Sequence, residues 1–288
     1  MSKNFSAEQY EKSYVPAHLS QWEVPKRFQE YPRRREGCTV AISDEDGRFL
    51  DGVNKPTFKE LSPFIGTWGK DYPRPEKFSG ERLLDLGSGP TVHNIATASA
   101  YFPHIVLSEF VESNCEQLRK WVRKDPDCID WSPFLERVAK AEKRTDVKAA
   151  AKEIEDRIRS SVKAVIHCDV LDDQVIAKEY AQQPYDMILT ALTLETAAVD
   201  LKSYSKIVGR VNQLLRKGGK LVMIGPIKCT YWKVGDNKFH CLPVGEDDIQ
   251  KALEKNGFGD IKWKVRDLPD DDLPFDCSKL YFVTSTKL

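Results

Sequence analysis

The sequence is most informative at first in what it lacks. No Cys-x-x-Cys pair occurs among the seven cysteines, and their number is odd. That argues against both a disulfide framework and a structural zinc site. It fits a reducing, cytoplasmic setting. No apolar run is long enough to span a bilayer. Met1 to Tyr14 is polar and without the apolar centre of a signal peptide. The 44 basic and 44 acidic side chains leave no net charge. No general attraction to nucleic acid or to an anionic membrane follows. The five histidines are scattered and form no ligand cluster, so no metal is expected. There are no internal repeats and no low-complexity tracts.

What is present is concentrated in Leu83-Leu84-Asp85-Leu86-Gly87-Ser88-Gly89-Pro90-Thr91. Leu83 to Leu86 reads as a short buried strand. It breaks at two glycines, which permit a tight turn and close approach of a ligand. Pro90 suits the first turn of a helix expected over Thr91 to Tyr101. Strand, glycine turn and helix form a nucleotide-cofactor grip in open α/β sheets. Two details refine this. Val92 stands where a dinucleotide fingerprint has its third glycine, and Asp85 lies two residues before Gly87. A pyrophosphate there would meet a negative charge. A phosphate-free cofactor with a cationic amino-acid end would be welcomed. S-adenosyl-L-methionine fits that description better than NAD. Glu109, some twenty residues past the glycines, follows strand-like Ile105-Val106-Leu107, where a carboxylate can take ribose hydroxyls.

Residues 1–80 form a separate N-terminal region, with Tyr10, Tyr14, Trp22, Phe28 and Tyr31 set among charges and prolines. They are expected to form a lid over a cofactor-binding domain at 81–288. That domain alternates strands and helices. Further strands are expected at Ile105–Leu107, Ala164–His167, Asp186–Leu189 and Lys220–Gly225. Helices are expected at Ser113–Arg123, through 134–163, over Leu201–Arg216 with a stop at Gly218-Gly219, and over Glu246–Asn256. Cys229 to Leu242 reads as an aromatic hairpin. Ile261–Val265 and Leu280–Ser285 close the chain with no helix between them. The implied fold is α/β: a doubly wound, seven-stranded, mostly parallel sheet whose last strand is antiparallel.

The chain resembles the nicotinamide, phenylethanolamine and indolethylamine N-methyltransferases, which are class I methyltransferases of Rossmann-like fold. The resemblance rests on Asp85 to Thr91, Trp121 to Pro126, Asp130-Trp131-Ser132-Pro133, Cys168-Asp169-Val170, Leu192 to Glu195, Leu214 to Gly219 and Phe239 to Pro243. It implies a site that carries over residue by residue. Gly87, Ser88 and Gly89 would line the methionine end of S-adenosylmethionine, and Thr91 would hold its carboxylate at a helix start. Glu109, Phe110 and Asn114 would take the ribose side, with Asp169 and Val170 bordering the adenine. Thr190 and Ala191 would lie under the sulfonium. Tyr10 and Tyr14 would close over cofactor and substrate, an aromatic face suiting a cation.

Several positions depart from the family. His93 replaces a tyrosine in the cofactor site. Gly225 and Cys241 replace the aspartate and serine that serve the nicotinamide enzyme, which counts against nicotinamide as acceptor. Glu195 matches a carboxylate near the amine of the phenylethanolamine enzyme, Cys229 aligns with a second, and Asp276 lies near a third. Glu195 and Asp276 are therefore the implied catalytic acids. Tyr10, Leu192, Glu195, Cys229, Trp232 and Cys241 are the implied substrate-binding residues. The expected function is methyl transfer to the nitrogen of a small amine or aromatic amine by a monomer. The alternatives are a non-catalytic cofactor-binding relative and an NAD-dependent oxidoreductase.

Overall fold

A computed structural model describes residues 78–288, except 127, 235–236 and 269–275; for 232–234 and 237–239 it describes the backbone. The expected lid, with Tyr10 and Tyr14, lies outside the described residues.

A seven-stranded sheet runs in the order β3-β2-β1-β4-β5-β9-β8. Its strands are β1 (Arg82–Leu86), β2 (His104–Glu109), β3 (Val162–His167), β4 (Tyr185–Ala191), β5 (Leu215–Pro226), β8 (Phe258–Asp267) and β9 (Lys279–Lys287). β1 pairs in parallel with β2 and β4, Leu84 lying beside both Val106 and Ile188. These central strands are nearly unbroken apolar runs because both faces are covered. β9 runs antiparallel to β5 and to β8, between them. A separate hairpin, β6 (Tyr231–Val234) and β7 (Asn237–His240), projects between β5 and the last helix.

Helices cover the two faces. α1 (Glu112–Arg123), α2 (Ser132–Ala141) and α3 (Val147–Ser161) supply Leu118, Leu135, Ile154 and Ile158 to one apolar core. α6 (Leu201–Leu214) and α7 (Glu246–Lys255) supply Tyr204, Ile207, Ile249 and Leu253 to the other. The short helices α4 (Lys178–Ala181) and α5 (Leu194–Ala197) flank β4. α6 opens on a capping box: Ser203 N–H donates to the Asp200 carboxylate at 2.6 Å, and Asp200 N–H donates to Ser203 Oγ at 3.0 Å.

Two expectations fail locally. The helix expected over Thr91 to Tyr101 is two 3-10 turns, His93–Ile95 and Ala98–Ala100. Side chains take a carbonyl the helix would use: Ser99 Oγ and Arg157 Nη2 both donate to Ala96 O, at 2.7 and 2.8 Å, while Thr91 Oγ1 donates to Ser88 O at 2.7 Å in the turn before. The stop expected at Gly218-Gly219 is instead a kink inside β5, where pairing with β4 slips between Tyr185 and Met187. Gly218 has φ +74°, and a Cβ on Gly219 would lie 2.8 Å from Arg216 O. The helix ends two residues before Lys217, at Leu215 as its extended C-cap.

Candidate active site

The strand order reverses direction at β1, between β2 on one side and β4 on the other. Open α/β sheets bind ligands beyond the strand ends at such a switch point. The turn after β1 and the turn after β4 meet there. Gly87 has φ +74° and Gly89 φ +59°. A Cβ on Gly87 would lie 2.3 Å from Thr193 Oγ1 and Cγ2, so glycine is required twice over, for conformation and for space. Gly87 N–H and Ser88 N–H both donate to Ser108 O, at 2.9 and 3.0 Å. Ser88 Oγ and Ser108 Oγ donate to Asp85 O at 3.1 and 2.9 Å. The turn is thus fixed by its own backbone before any ligand arrives.

Beneath it lies the Asp85 side chain, with no exposed surface and no hydrogen-bond partner for either carboxylate oxygen. Burial pushes this carboxyl up to about 7. An unpartnered buried acid is costly unless something cationic or protic completes it. The α-ammonium of S-adenosylmethionine has the chemistry to do so, whereas a pyrophosphate would add a second negative charge. The donor set therefore fits this cofactor.

Glu109, at the end of β2, is more engaged than its expected ribose role requires. Its Oε2 accepts from Gly89 N–H, and its Oε1 accepts from Val111 N–H and Asn114 Nδ2, each at 3.0 Å. Burial raises its pKa against these bonds. Phe110 N–H also lowers it, so Glu109 braces the glycine turn through several donors at once. The other Asn114 amide atom, Oδ1, is buried without a partner. Phe110 stacks obliquely on His167, centroids 5.5 Å apart, beyond the ends of β2 and β3. Asp169 accepts from Leu171 N–H at 2.9 Å, and Val170 is buried in the core.

Two residues of the expected methionine end behave differently. Without an α-helix after Pro90 there is no helix start for Thr91 to work from, and its hydroxyl is turned to Ser88. His93 is buried against Trp131 and Phe134, centroids 5.3 and 5.2 Å away. Neither of its nitrogens has a partner, and burial holds the imidazole down at about 3, so it is neutral.

The end of β4 carries the second buried acid. Thr190 Oγ1 is buried and unpartnered. Ala191 follows, and Leu192 adopts φ +56°, held by its N–H to Ile224 O at 2.8 Å. A β-branched or long side chain in that region is strained. The chain then turns into α5, which sets Glu195 inward with 1% exposure. Glu195 Oε1 has no partner, and burial pushes the carboxyl up to about 8. A Cβ built on Gly225 would stand 2.5 Å from Glu195 Oε1 and 2.7 Å from the Tyr281 hydroxyl. Tyr204 and Tyr281 are buried beside Glu195, and burial raises both phenols.

The remaining expected residues gather at the root of the β6–β7 hairpin. Cys229 and Cys241 are buried there. Leu242 N–H donates to Glu195 O at 2.9 Å, tying this root to α5. The Trp232 side chain lies outside the described residues. Asp276 is exposed, and its carboxylate accepts from Thr230 N–H at 2.8 Å, Tyr231 N–H at 3.3 Å and Thr230 Oγ1. Partial burial raises its pKa, and these bonds outweigh it to hold the carboxyl below its ordinary value. Asp276 therefore fastens the hairpin, and of the two implied catalytic acids it is Glu195 that is buried with an unpartnered oxygen.

Three residues of the site were not anticipated from the sequence. Thr193 closes against Gly87, and Tyr204 and Tyr281 flank Glu195. Thr193 lies within the Leu192 to Glu195 stretch that carries the resemblance; no local motif marks Tyr204 or Tyr281, and Tyr281 meets Gly225 only because β9 inserts beside β5.

Strand order, the antiparallel insertion of β9 and the glycine turn at the switch point define a class I methyltransferase fold. Residues 69–288 match the NNMT/PNMT/TEMT family, and the chain belongs to it, a family of S-adenosylmethionine-dependent N-methyltransferases. Among individual relatives, human nicotinamide N-methyltransferase is 33% identical over 184 residues, covering 64% of this chain and 68% of its own. Pig phenylethanolamine N-methyltransferase is 32% identical over 191 residues, covering 66% of this chain and 65% of its own. The rat phenylethanolamine enzyme is 34% identical over 191 residues, 66% and 64% respectively. The matches thus span about two thirds of each relative. A methyltransferase structure from Clostridium acetobutylicum aligns with TM-score 0.46 and 10% identity, over 72% of this chain and 85% of that one.

Proposed function

We propose that this protein methylates the nitrogen of a small aliphatic amine, with S-adenosylmethionine as donor. The observation that carries the reading is Glu195: a carboxyl with 1% exposure and an unpartnered oxygen, set where β4 ends. When bound, the cofactor supplies a methyl group made electrophilic by its sulfonium. Asp85 would pair with its ammonium, Glu109 and Asn114 would hold the ribose, and Phe110, Asp169 and Val170 would border the adenine. Thr190 and Ala191 would floor the sulfonium. Tyr10 and Tyr14, which lie outside the described residues, keep the closing role that the family resemblance implies.

An amine arrives protonated and needs a free lone pair before it can react. Glu195 is the group to remove that proton. Its pKa of about 8 lies near the working pH, where a general base is most effective. The incoming ammonium first drives the carboxyl proton into solvent and forms a buried ion pair. Proton transfer within that pair frees the nitrogen and leaves Glu195 as the neutral acid, which loses its proton to solvent as positive charge develops on the methylated nitrogen. Most of the acceleration comes from holding nitrogen and methyl in line. An uncharged pyridine nitrogen would need no base, and Gly225 offers no carboxylate for an amide. Activity as a monomer in the cytoplasm is part of the reading; cysteines that are unbridged among the described residues are consistent with the compartment.

The test is product formation from methyl-labelled S-adenosylmethionine with a panel of arylalkylamines and with nicotinamide. The reading expects labelled secondary amines. Label on nicotinamide alone, or on no acceptor while the cofactor binds, would overturn it.

A further inference from the structure

Three cysteines from separate stretches meet at the root of the hairpin. Cys229 follows β5, Cys241 follows β7, and Cys277 precedes β9. All are buried and unbridged, and they pack together with Leu268 and Leu280.

The sheet register explains the meeting. β5 and β9 pair Gly225 with Tyr281 and Pro226 with Leu280. Ile227 N–H donating to Lys279 O at 2.9 Å carries the ladder one step further. Beyond that step the ladder ends: Lys228 has φ +57° and turns its N–H to Val244 O at 2.9 Å. Past this bend Cys229 packs with Cys277 in one buried cluster, and their thiols are in contact. Asp276 holds the two stretches together through Thr230 and Tyr231. Cys241 N–H donates to Thr230 O at 3.0 Å, bringing the third thiol alongside. Among the described residues no His, Cys, Asp or Glu group is arranged to hold a metal ion. The cluster is therefore read as thiol chemistry.

The three thiols are not equivalent. Contacts from Cys241 and Cys277 lower the Cys229 thiol against burial and the adjacent Asp276 carboxylate, while Cys229 pushes Cys277 up. The Cys229 thiol also donates to Tyr231 O at 3.1 Å. Cys229 is thus the more acidic member of the pair, the attacking sulfur, and Cys277 the resolving one.

We propose that Cys229 and Cys277 form a hydroperoxide-reactive dithiol site that closes to an intramolecular disulfide. The Cys229 thiolate attacks the peroxide, a sulfur–oxygen bond forms as the oxygen–oxygen bond breaks, and the displaced alkoxide or hydroxide takes a proton from water. Sulfur is oxidised and the peroxide reduced. The resulting sulfenic acid is neutral, which removes the charge that kept Cys277 protonated. Cys277 then attacks that sulfur, the sulfur–sulfur bond forms, and the hydroxyl leaves with the Cys277 proton as water. Two thiols and one hydroperoxide give one disulfide, one alcohol or water, and one water. The bridge fastens the hairpin root to β9, next to the chain segment that is bonded to Glu195.

The experiment treats the reduced full-length protein with equimolar hydrogen peroxide. It then blocks free thiols under denaturing conditions and maps peptides without reduction. The proposal expects a loss of about 2 Da, restored by phosphine, and a linked peptide pair of Cys229 with Cys277. In Cys277→Ser, Cys229 should instead be trapped by dimedone as the sulfenic acid, and Cys115→Ser should leave the bridge unchanged. Full alkylation of Cys229 and Cys277 after peroxide would overturn the proposal. So would a bridge from Cys229 to Cys241, or one that uses Cys38 or Cys128.

Discussion

Gly225 and Tyr281 face each other across β5 and β9, and the space a side chain at 225 would fill is held by the Tyr281 ring and Glu195. The glycine is therefore part of how Glu195 is housed. An aspartate at 225 would have its Cβ 2.5 Å from Glu195 Oε1, and its charge would join a second buried acid. Gly225→Asp should lower stability by ~2–4 kcal/mol and abolish amine methylation without creating nicotinamide methylation. Its affinity for S-adenosylhomocysteine should stay within about threefold of wild type, a twofold to threefold change being well under 1 kcal/mol. Thermal melts, calorimetry and the two acceptor assays check this.

Glu195→Gln keeps the shape and removes the titration. kcat/KM for an amine should fall about 100-fold, the usual size of a general-base contribution. The wild-type profile should rise with pH through about 8 as Glu195 loses its proton, and that limb should be missing in the variant. An unchanged profile would remove Glu195 from the chemistry.

Acceptor binding should also release protons. Near pH 7 a carboxyl with a pKa of about 8 is mostly protonated, and an ammonium cation beside it favours the charged form. Calorimetry in two buffers of different ionisation enthalpy should register net release of just under one proton at pH 7. Glu195→Gln should release none.

Asp85 is held neutral at the expense of stability. Its folded pKa of about 7 lies above the ordinary value of 3.8. Over that interval the folded state binds more protons than the unfolded one, so stability falls as pH rises from about 4 to 7 and the cost is complete above it. Asp85→Asn should flatten this part of the Tm–pH curve and weaken S-adenosylhomocysteine binding at least tenfold. A bound cofactor should likewise raise the Tm of the wild type most at pH 8.

Gly87→Ala tests the turn itself. A Cβ there adopts a φ of +74° and lies 2.3 Å from Thr193. The left-handed conformation alone costs ~1–2 kcal/mol, and the clash adds to it. Loss of cofactor binding with a lowered Tm is expected.

Much of the fold was legible because parallel strands buried on both faces are written as apolar runs, and α1, α3 and α7 as clear apolar stripes. The two failures lay where side chains compete with the backbone. Ser99 and the distant Arg157 both take Ala96 O where an expected helix gives way to 3-10 turns, and two glycines bend a strand instead of ending a helix. Gly87 and Asp85 could be singled out because glycines and an acid in one turn are a local pattern, and Glu109 because it stands at the end of the next strand, some twenty residues on. Gly225 was singled out by resemblance, as a missing aspartate. What fills its place was not legible, because Tyr281 is 56 residues further on in the chain and the antiparallel pairing alone brings it there.

Everything rests on a buried, unpartnered carboxylate beneath the glycine turn as the seat of a cationic, phosphate-free donor. Calorimetry on the full chain with S-adenosylhomocysteine and, separately, with NADH measures this most directly. Saturable one-to-one binding of S-adenosylhomocysteine, lost in Asp85→Lys, with no heat from NADH, is the predicted result. Binding of NADH, or S-adenosylhomocysteine affinity unchanged in Asp85→Lys, would contradict it.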